Sequence, residues 1–297
     1  MKIKIMELTD RHLKCIIQDA TPAFVNSLRR VLLSELPKMA IHEVEFHLGP
    51  IRDRETGKMF ESMAPLFDEI IAHRLGMLPV PTDTRLFNFK AECVCGGEGC
   101  PNCRIMFVLN KHGPCTVFSG DLEAISGDAA GEVTNYAIIE DLIPIVRLNE
   151  HEALLIYATA IMGRANDHAK WQVCDSVGYK FFPHITIDDK LCDNGGGCID
   201  ICPKDVLGFN TKGNLAVKNL LQCDLCNACV EICEPRPEGG KSKGNMIKAI
   251  RVEGKNDMFI FTMDTDGSYT AKDAFEAALD ILEKKYQDFR ESISTMK

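Results

Sequence analysis

The sequence predicts an α+β protein, and three observations carry that expectation. Apolar stripes at helical spacing lie near both ends of the chain, alternating segments of strand character lie beside them, and two cysteine-rich regions interrupt the middle. At 297 residues there is room for two or three domains, and 45% hydrophobic residues supply ample core although only 7% are aromatic.

Taken in order, Lys2 to Leu8 sets Ile3 and Ile5 between charged neighbours, a strand pattern. Thr21-Pro22 opens a helix, with the threonine as N-cap and proline in the first helical position, where its missing N–H costs nothing. Phe24, Leu28, Val31 and Leu32 then form a stripe at i, i+4, i+7 and i+8, Arg29 and Arg30 lie on other faces, and Pro37 marks the stop. The longest nearly apolar stretch, Ala153 to Met162, is too short to cross a bilayer, and no apolar signal core follows Met1. His184 to Ile187 alternates again. Gly239, Gly240 and Gly244, with Lys241 and Lys243, read as a flexible exit from the second cysteine region.

Met258 to Met263 is a short apolar strand that ends in Asp264-Thr-Asp-Gly267. Those carboxylates superficially suggest a calcium loop, but the ligand spacing and the closing glutamate are missing, so a hairpin turn is expected. Thr270-Ala-Lys-Asp273 reads as a capping box. Phe275, Ala278, Leu279, Leu282, Tyr286, Phe289 and Ile293 continue as an apolar stripe, and a helix from Ala271 to Ile293 would extend about 35 Å. So long an apolar face exceeds what a small domain needs. It forms either a seam for a partner subunit or a surface that packs back on the chain's own sheet.

Charge and cysteine usage narrow the function. A net charge of −9 excludes a nucleic-acid clamp, so any work near DNA goes through partners. Fourteen cysteines without a secretory signal indicate a reducing, cytoplasmic setting in which thiolates are kept for metal, and no membrane association is expected. Cys93-x-Cys95-x4-Cys100-x2-Cys103, set among Gly96, Gly97, Gly99 and Pro101, reads as a closed structural zinc loop: glycines let the backbone fold back, and four sulfurs without histidine or aspartate leave no open position for catalysis. Cys15, Cys115 and Cys174 are isolated and read as small buried hydrophobes.

The second region holds seven cysteines in two runs. Cys223-x2-Cys226-x2-Cys229-x3-Cys233 is complete, whereas Cys192-x5-Cys198-x3-Cys202, followed by Pro203, has Gly195 where a fourth cysteine would fall. This spacing resembles that of two-cluster bacterial ferredoxins, in which the last cysteine of each run ligates the other run's cluster. The resemblance implies two unequal sites. Cys202, Cys223, Cys226 and Cys229 would form a complete 4Fe–4S site, and Cys192, Cys198 and Cys233 an incomplete one. The incomplete site is left with three alternatives: a 3Fe–4S cluster, a 4Fe–4S cluster with a non-cysteine ligand, or no cluster. Ile199, Ile201, Val230 and Ile232 would exclude water. A zinc site or a disulfide framework is the plainer reading of such cysteines, but neither requires runs so compressed.

Two further segments are more specific. Residues 26–44, NSLRRVLLSELPKMAIHEV, resemble the signature helix and strand of the alpha-type subunits of RNA polymerase, and residues 73–80, HRLGMLPV, resemble that family's second signature. The ferredoxin-like insertion places the chain with the archaeal, iron–sulfur-containing members, counterparts of the eukaryotic third-largest subunit, and the loop at 93–103 is similar to the eukaryotic zinc loop. The departure from the pattern is Gly195.

The resemblance implies a non-catalytic assembly platform. Residues 1–50 plus 246–297 would form a discontinuous alpha-type dimerisation domain, 51–187 an inserted mixed domain with the zinc loop, and 188–245 a ferredoxin-like iron–sulfur domain. The family pairs with a smaller alpha-like subunit, L, gathers the small subunits N and P, and docks the second-largest catalytic subunit, reaching DNA only through the complex. Phe24, Leu28, Val31, Leu32, Phe275, Leu279, Leu282 and Tyr286 would line or support the dimer seam, and Arg29 and Arg30 would contact partner subunits. No catalytic residues are expected: His73 and Arg74 have no nucleophile or paired carboxylate to work with, and there is no phosphate-binding Gly-Lys-Ser/Thr loop. The alternative is a ferredoxin-like electron-transfer protein or redox-enzyme subunit, which would explain residues 190–235 and leave both polymerase signatures without a role.

Overall fold

The computed structural model describes residues 1–52, 57–125, 136–233 and 248–295. The glycine–lysine exit at 239–244 lies outside them. Strands β1 (Lys2–Leu8) and β2 (His12–Gln18) lead to helix α1 (Pro22–Ser34) and strand β3 (Pro37–Phe46). The short strands β4 (Ile51–Arg52) and β5 (Met59–Ser62) precede helix α2 (Asp68–Gly76). Next come β6 (Arg104–His112), β7 (Cys115–Phe118), β8 (Glu123–Ala124), β9 (Pro144–Leu148), β10 (Glu152–Arg164) and β11 (Cys174–Ile187). The cysteine runs contain α3 (Gly197–Asp200), β12 (Leu207–Phe209), β13 (Leu215–Val217) and α4 (Ala228–Glu231). Strand β14 (Ile250–Thr265) and helix α5 (Ala271–Ser294) come last.

The helix boundaries follow local chemistry. The Phe24 amide donates to Thr21 Oγ1 at 3.3 Å, which satisfies one of the orphan donors at the start of α1. At α5 the Asp273 amide donates to Thr270 Oγ1 at 3.1 Å, but the Asp273 carboxylate accepts the Thr270 hydroxyl at 2.7 Å, so the expected box is realised on one side and closed by a side-chain pair on the other. The apolar run at 258–263 proves to lie near the end of a 16-residue strand whose first half alternates Ile250 and Val252 with Arg251 and Glu253, a pattern too short to mark a strand on its own.

The turn after that strand corrects an expectation. Asp264–Gly267 is not a hairpin but a strand-to-helix connection, since β14 runs to Thr265 and the chain then enters α5 through the Thr270 cap; each carboxylate has a basic partner elsewhere. His12 Nδ1 lies 2.6 Å from Asp264 Oδ1, and buried Lys38 pairs with Asp266, whose Oδ1 also accepts the Ser268 amide at 2.9 Å. Gly267 takes φ +93°, which a side chain would resist.

By internal contacts the chain forms two compact units, one of Met1–Met6, Lys14–Asn26 and Gly178–Phe261, the other of Glu7–Leu13, Ser27–Val177 and Thr262–Lys297. One sheet runs in the order β1-β2-β14-β11 and another in the order β4-β5-β10-β6-β8, with β3 also pairing β10. The apolar stretch at 153–162 is the centre of this second sheet: β10 pairs antiparallel with β6 on one side and with β3 on the other, with a bulge between Thr159 and Ala160. Leu154, Ile156, Ala158, Ala160 and Met162 alternate inward, joining Met39, Ile71, Leu75, Phe107 and Leu109 in the core of the larger unit. Gly163 is needed by close approach, since a Cβ there would lie 2.3 Å from the Trp171 ring, whose indole N–H donates to Ile161 O at 3.1 Å. Among the described residues, no helix is long and apolar enough to cross a membrane.

In the other unit the two cysteine runs fold alike. Each enters a one-turn helix through a residue with positive φ, Gly196 at +81° before α3 and Asn227 at +62° before α4, and each helix carries the penultimate cysteine of its run, Cys198 or Cys229. The paired strands β12 and β13 bring Leu207 and Leu215 into a small core with Ala249 and Ile250.

Candidate metal centres and pairing surface

The loop at 93–103 converges on a point. Sγ atoms of Cys93 and Cys100 are 3.5 Å apart, those of Cys95 and Cys103 3.7 Å, and those of Cys100 and Cys103 4.0 Å. All four lie within 4.8 Å of one another. A tetrahedron of sulfurs around one zinc ion with bonds of ~2.3 Å has edges of about 3.8 Å, so the spacing fits a single tetrahedral ion. Gly96, Gly97 and Gly99 take positive φ, and backbone bonds from Gly96 N to Cys93 O and from Cys103 N to Cys100 O, both 3.0 Å, close two tight turns. The amides of Gly99 and Cys100 draw the Cys95 thiol down to about 5, which prepares a thiolate, whereas burial pushes Cys103 up to about 12. This cluster is a cysteine-based metal-binding site.

The other seven thiols are arranged differently. Among the described residues, the 93–103 loop holds the one set of three or more donors packed within 4.8 Å of each other. Cys202, Cys223, Cys226 and Cys229 instead surround a cavity walled by Ile185, Val206, Leu207 and Val252. The Val206 amide donates to Cys202 Sγ at 3.5 Å, and Lys180 holds the Cys223 carbonyl at 3.0 Å. Burial, with Cys202, Cys223 and Cys226 as charged neighbours, pushes Cys229 up to about 11. Cys192, Cys198 and Cys233 line a second cavity with the Asp193–Gly197 loop, Leu215, Ile232 and Ile250. Burial and the adjacent Cys192 raise Cys198. Cys192, Cys198 and Cys223 are buried, Cys202, Cys229 and Cys233 half-buried and Cys226 exposed; sulfur donors lining apolar-walled cavities, spaced wider than one ion requires, are what a multi-iron core needs, so the residues present fit iron–sulfur clusters.

The isolated cysteines behave as structural residues. Cys15 and Cys174 are buried, and burial pushes their thiols up to about 11 and about 12. Cys115 is half-buried on β7 with its Sγ 3.3 Å from His112 O. Arg74 donates to Ile145 O at 2.6 Å, a structural bond, and His73 is exposed.

Helices α1 and α5 divide their apolar residues between core and surface. Leu28, Val31 and Leu32 are buried within the chain, as are Phe275 and Leu282, while Phe24 and Leu279 are half-buried. Val25, fully buried, was missed because the stripe was drawn through Phe24, one residue earlier. Past Leu282 no α5 side chain is buried, and Tyr286, Phe289 and Ile293 are 57%, 66% and 54% exposed on neighbouring turns. A groove runs between the helices, lined by Ser27, Arg30 and Val31 on one side and Leu282, Tyr286 and Phe289 on the other, and Lys285 bridges it to Glu35 at 2.5 Å. Arg30 is exposed and Arg29 half-buried.

Comparison with known proteins accords with this geometry. A family model described as the RNA polymerase Rpb3/Rpb11 dimerisation domain matches residues 14–286. DNA-directed RNA polymerase subunit Rpo3 of Thermoplasma volcanium is 37% identical over 99% of this chain and 100% of its own length. The Rpo3 subunit of Picrophilus torridus is 36% identical over 98% and 99%, and that of Methanosarcina acetivorans 34% over 97% and 96%. With a dimerisation model spanning the chain from β2 into α5 and relatives aligned over nearly all of it, the chain belongs to the Rpo3 family of archaeal, alpha-like RNA polymerase subunits.

Proposed function

We propose that the chain is a non-catalytic assembly platform of DNA-directed RNA polymerase, working in the cytoplasm, which pairs through α1 and α5 with the smaller alpha-like subunit L. The observation that carries this reading is the exposed row Tyr286, Phe289 and Ile293 on the free turns of α5, flanking the groove with α1. Each large apolar side chain covered by a partner contributes roughly 1.5–3 kcal/mol, and a helix surface of this kind is otherwise a liability in water. The buried members of the stripe, Leu28 and Leu32 above all, support this surface from beneath rather than forming it.

In this reading residues 1–50 and 246–297 serve dimerisation, 51–187 form the inserted domain, and 188–245 the ferredoxin-like domain. The 93–103 loop holds one structural zinc ion. The four-thiolate cavity holds a 4Fe–4S cluster, and the three-thiolate cavity a second cluster of 3Fe–4S or 4Fe–4S type. The clusters tie two cysteine runs together and the zinc ion closes its own loop, giving a fixed scaffold to which subunits N and P and the second-largest catalytic subunit dock, and DNA is reached only through the complex. The electron-transfer alternative accounts for the cysteine cavities alone and gives no role to the exposed face of α5.

The test is pairing. Phe289→Asp should leave the fold intact, because Phe289 is exposed, and weaken recovery of the heterodimer with L by a factor of a hundred or more when the two chains are co-produced and purified through a tag on L. Wild-type recovery with this variant and with Tyr286→Asp would remove α5 from the seam. Leu28→Asp is a poor probe by comparison, since it would bury an unpaired charge inside the chain itself.

A further inference from the structure

Gly195 stands where the first run lacks a cysteine, and the structure shows what occupies that place. A Cβ built at Gly195 would lie 3.1 Å from Asp193 Oδ2 and 3.4 Å from both Oδ1 and Cγ. A side chain at position 195 would therefore start against the carboxylate of Asp193, which is exposed on the same loop. The carboxylate is also oriented. Asp193 Oδ1 accepts the Gly195 amide at 2.9 Å, which folds the side chain back over the loop and leaves Oδ2 without a protein partner among the described residues. The other oxygen nearby is already committed: Asn194 Oδ1 accepts the Leu215 amide at 3.1 Å and meets Cys192 Sγ at 3.5 Å. Asp193 and the three thiols Cys192, Cys198 and Cys233 line one cavity of about 210 Å³.

We infer that Asp193 supplies, through Oδ2, the fourth protein ligand of the three-cysteine site, so that this site holds a four-iron cluster with one oxygen-ligated iron. The inference rests on the reading that this cavity holds an iron–sulfur cluster. A carboxylate is a harder donor than a thiolate and binds iron less tightly in a sulfur-rich core, so the corner it holds is the one iron that exchanges with the medium. The two cavities then differ in kind: one closes its core with four sulfurs, and the other keeps a replaceable metal at an edge lined by Asp193 and three glycines.

The experiment uses the full chain reconstituted anaerobically with ferrous iron and sulfide, with iron and sulfide counted and the clusters followed by electron paramagnetic resonance and Mössbauer spectroscopy. Wild type should carry two four-iron clusters, and mild chelation with ferricyanide as the one-electron oxidant should remove one ferrous ion per chain and leave an oxidised three-iron core with its paramagnetic resonance signal. Asp193→Ala should be isolated with one iron fewer and should give that signal on ferricyanide oxidation alone, without chelator. Asp193→Ala combined with Gly195→Cys should recover the lost iron in chelator-resistant form; Gly195 does not take a positive φ, and removing the carboxylate clears the space for a side chain. If Asp193→Ala loses the whole cluster, recovery in the double variant still supports ligation, and its absence overturns it. Retention of every iron with unchanged spectra in Asp193→Ala also overturns the ligand assignment, as does a wild type that stays at three irons under iron-replete, reducing conditions; both leave the cluster reading standing. A wild type with a single cluster, at the four-thiolate site, overturns the cluster reading itself.

Discussion

The loop at 93–103, with four cysteines, and the runs at 192–233, with seven, arrange their thiols in opposite geometries. In the loop, left-handed glycines fold eleven residues back on themselves until four sulfurs lie within 4.8 Å of one another, a cage for one ion made from one segment. In the runs, two matched turns stand across from each other and the thiols line the rims of two cavities, each receiving the last cysteine of the opposite run. The lesson is that cysteine spacing sets how closely thiols gather, and distance then selects the metal: short loops select a single ion, and crossed runs leave room for a larger core.

The largest effect that would break this comparison is at the loop. Cys95→Ser with Cys103→Ser should abolish zinc binding and leave the iron count unchanged. Zinc binding in small metal-dependent domains is worth of order 10 kcal/mol; in a unit with its own core, a loss of several kcal/mol is expected, read as a fall in Tm together with loss of zinc from the purified chain. Loss of iron in the same variant would show that the two regions are not independent.

A smaller effect on the fold, but a full effect on the metal, is expected at the runs. Cys226→Ser with Cys229→Ser should remove one four-iron cluster, keep the zinc ion, and still permit pairing with L if, as proposed, the exposed turns of α5 carry the seam. Iron and zinc counts alongside tagged purification of the heterodimer measure all three. Failure to pair would mean that the clusters set the shape of the dimer surface.

The smallest effect concerns the isolated buried cysteines. Burial raises Cys174 from an ordinary 9.0 to about 12 and Cys15 to about 11. A raised folded value means that the contribution to stability is complete below the unfolded pKa of 9.0 and is lost as pH rises toward the folded value, so stability should decline between about pH 9 and 12. Both thiols should resist alkylation at pH 8 in the native chain and react on unfolding, as mass spectrometry of labelled peptides would show. Rapid native labelling of either would place it at the surface.

How much was legible beforehand varied by region. The caps at Thr21 and Thr270 and the strand Lys2–Leu8 stand as the residues imply, because capping and alternation are local chemistry. The first half of β14 was harder to read, since Ile250 and Val252 alternate with polar neighbours over only four residues before the polar stretch at 254–257. Asp264 and Asp266 were legible as turn residues but not as partners of His12 and Lys38, more than 200 positions away in sequence. Asp193 gave no signal at all, since one aspartate beside a cysteine is unremarkable until the backbone folds it over Gly195.

The sequence by itself determined the donors, the caps and the family, because those reside in residue identity and short spacings. Only the tertiary structure decided which apolar side chains stay free. Leu28 and Phe289 are equivalent members of amphipathic stripes, yet one is sealed inside the chain and the other is 66% exposed. A stripe records that a helix has an apolar face, whereas what covers each turn depends on how far the rest of the chain reaches along it, and along α5 that cover ends at Leu282.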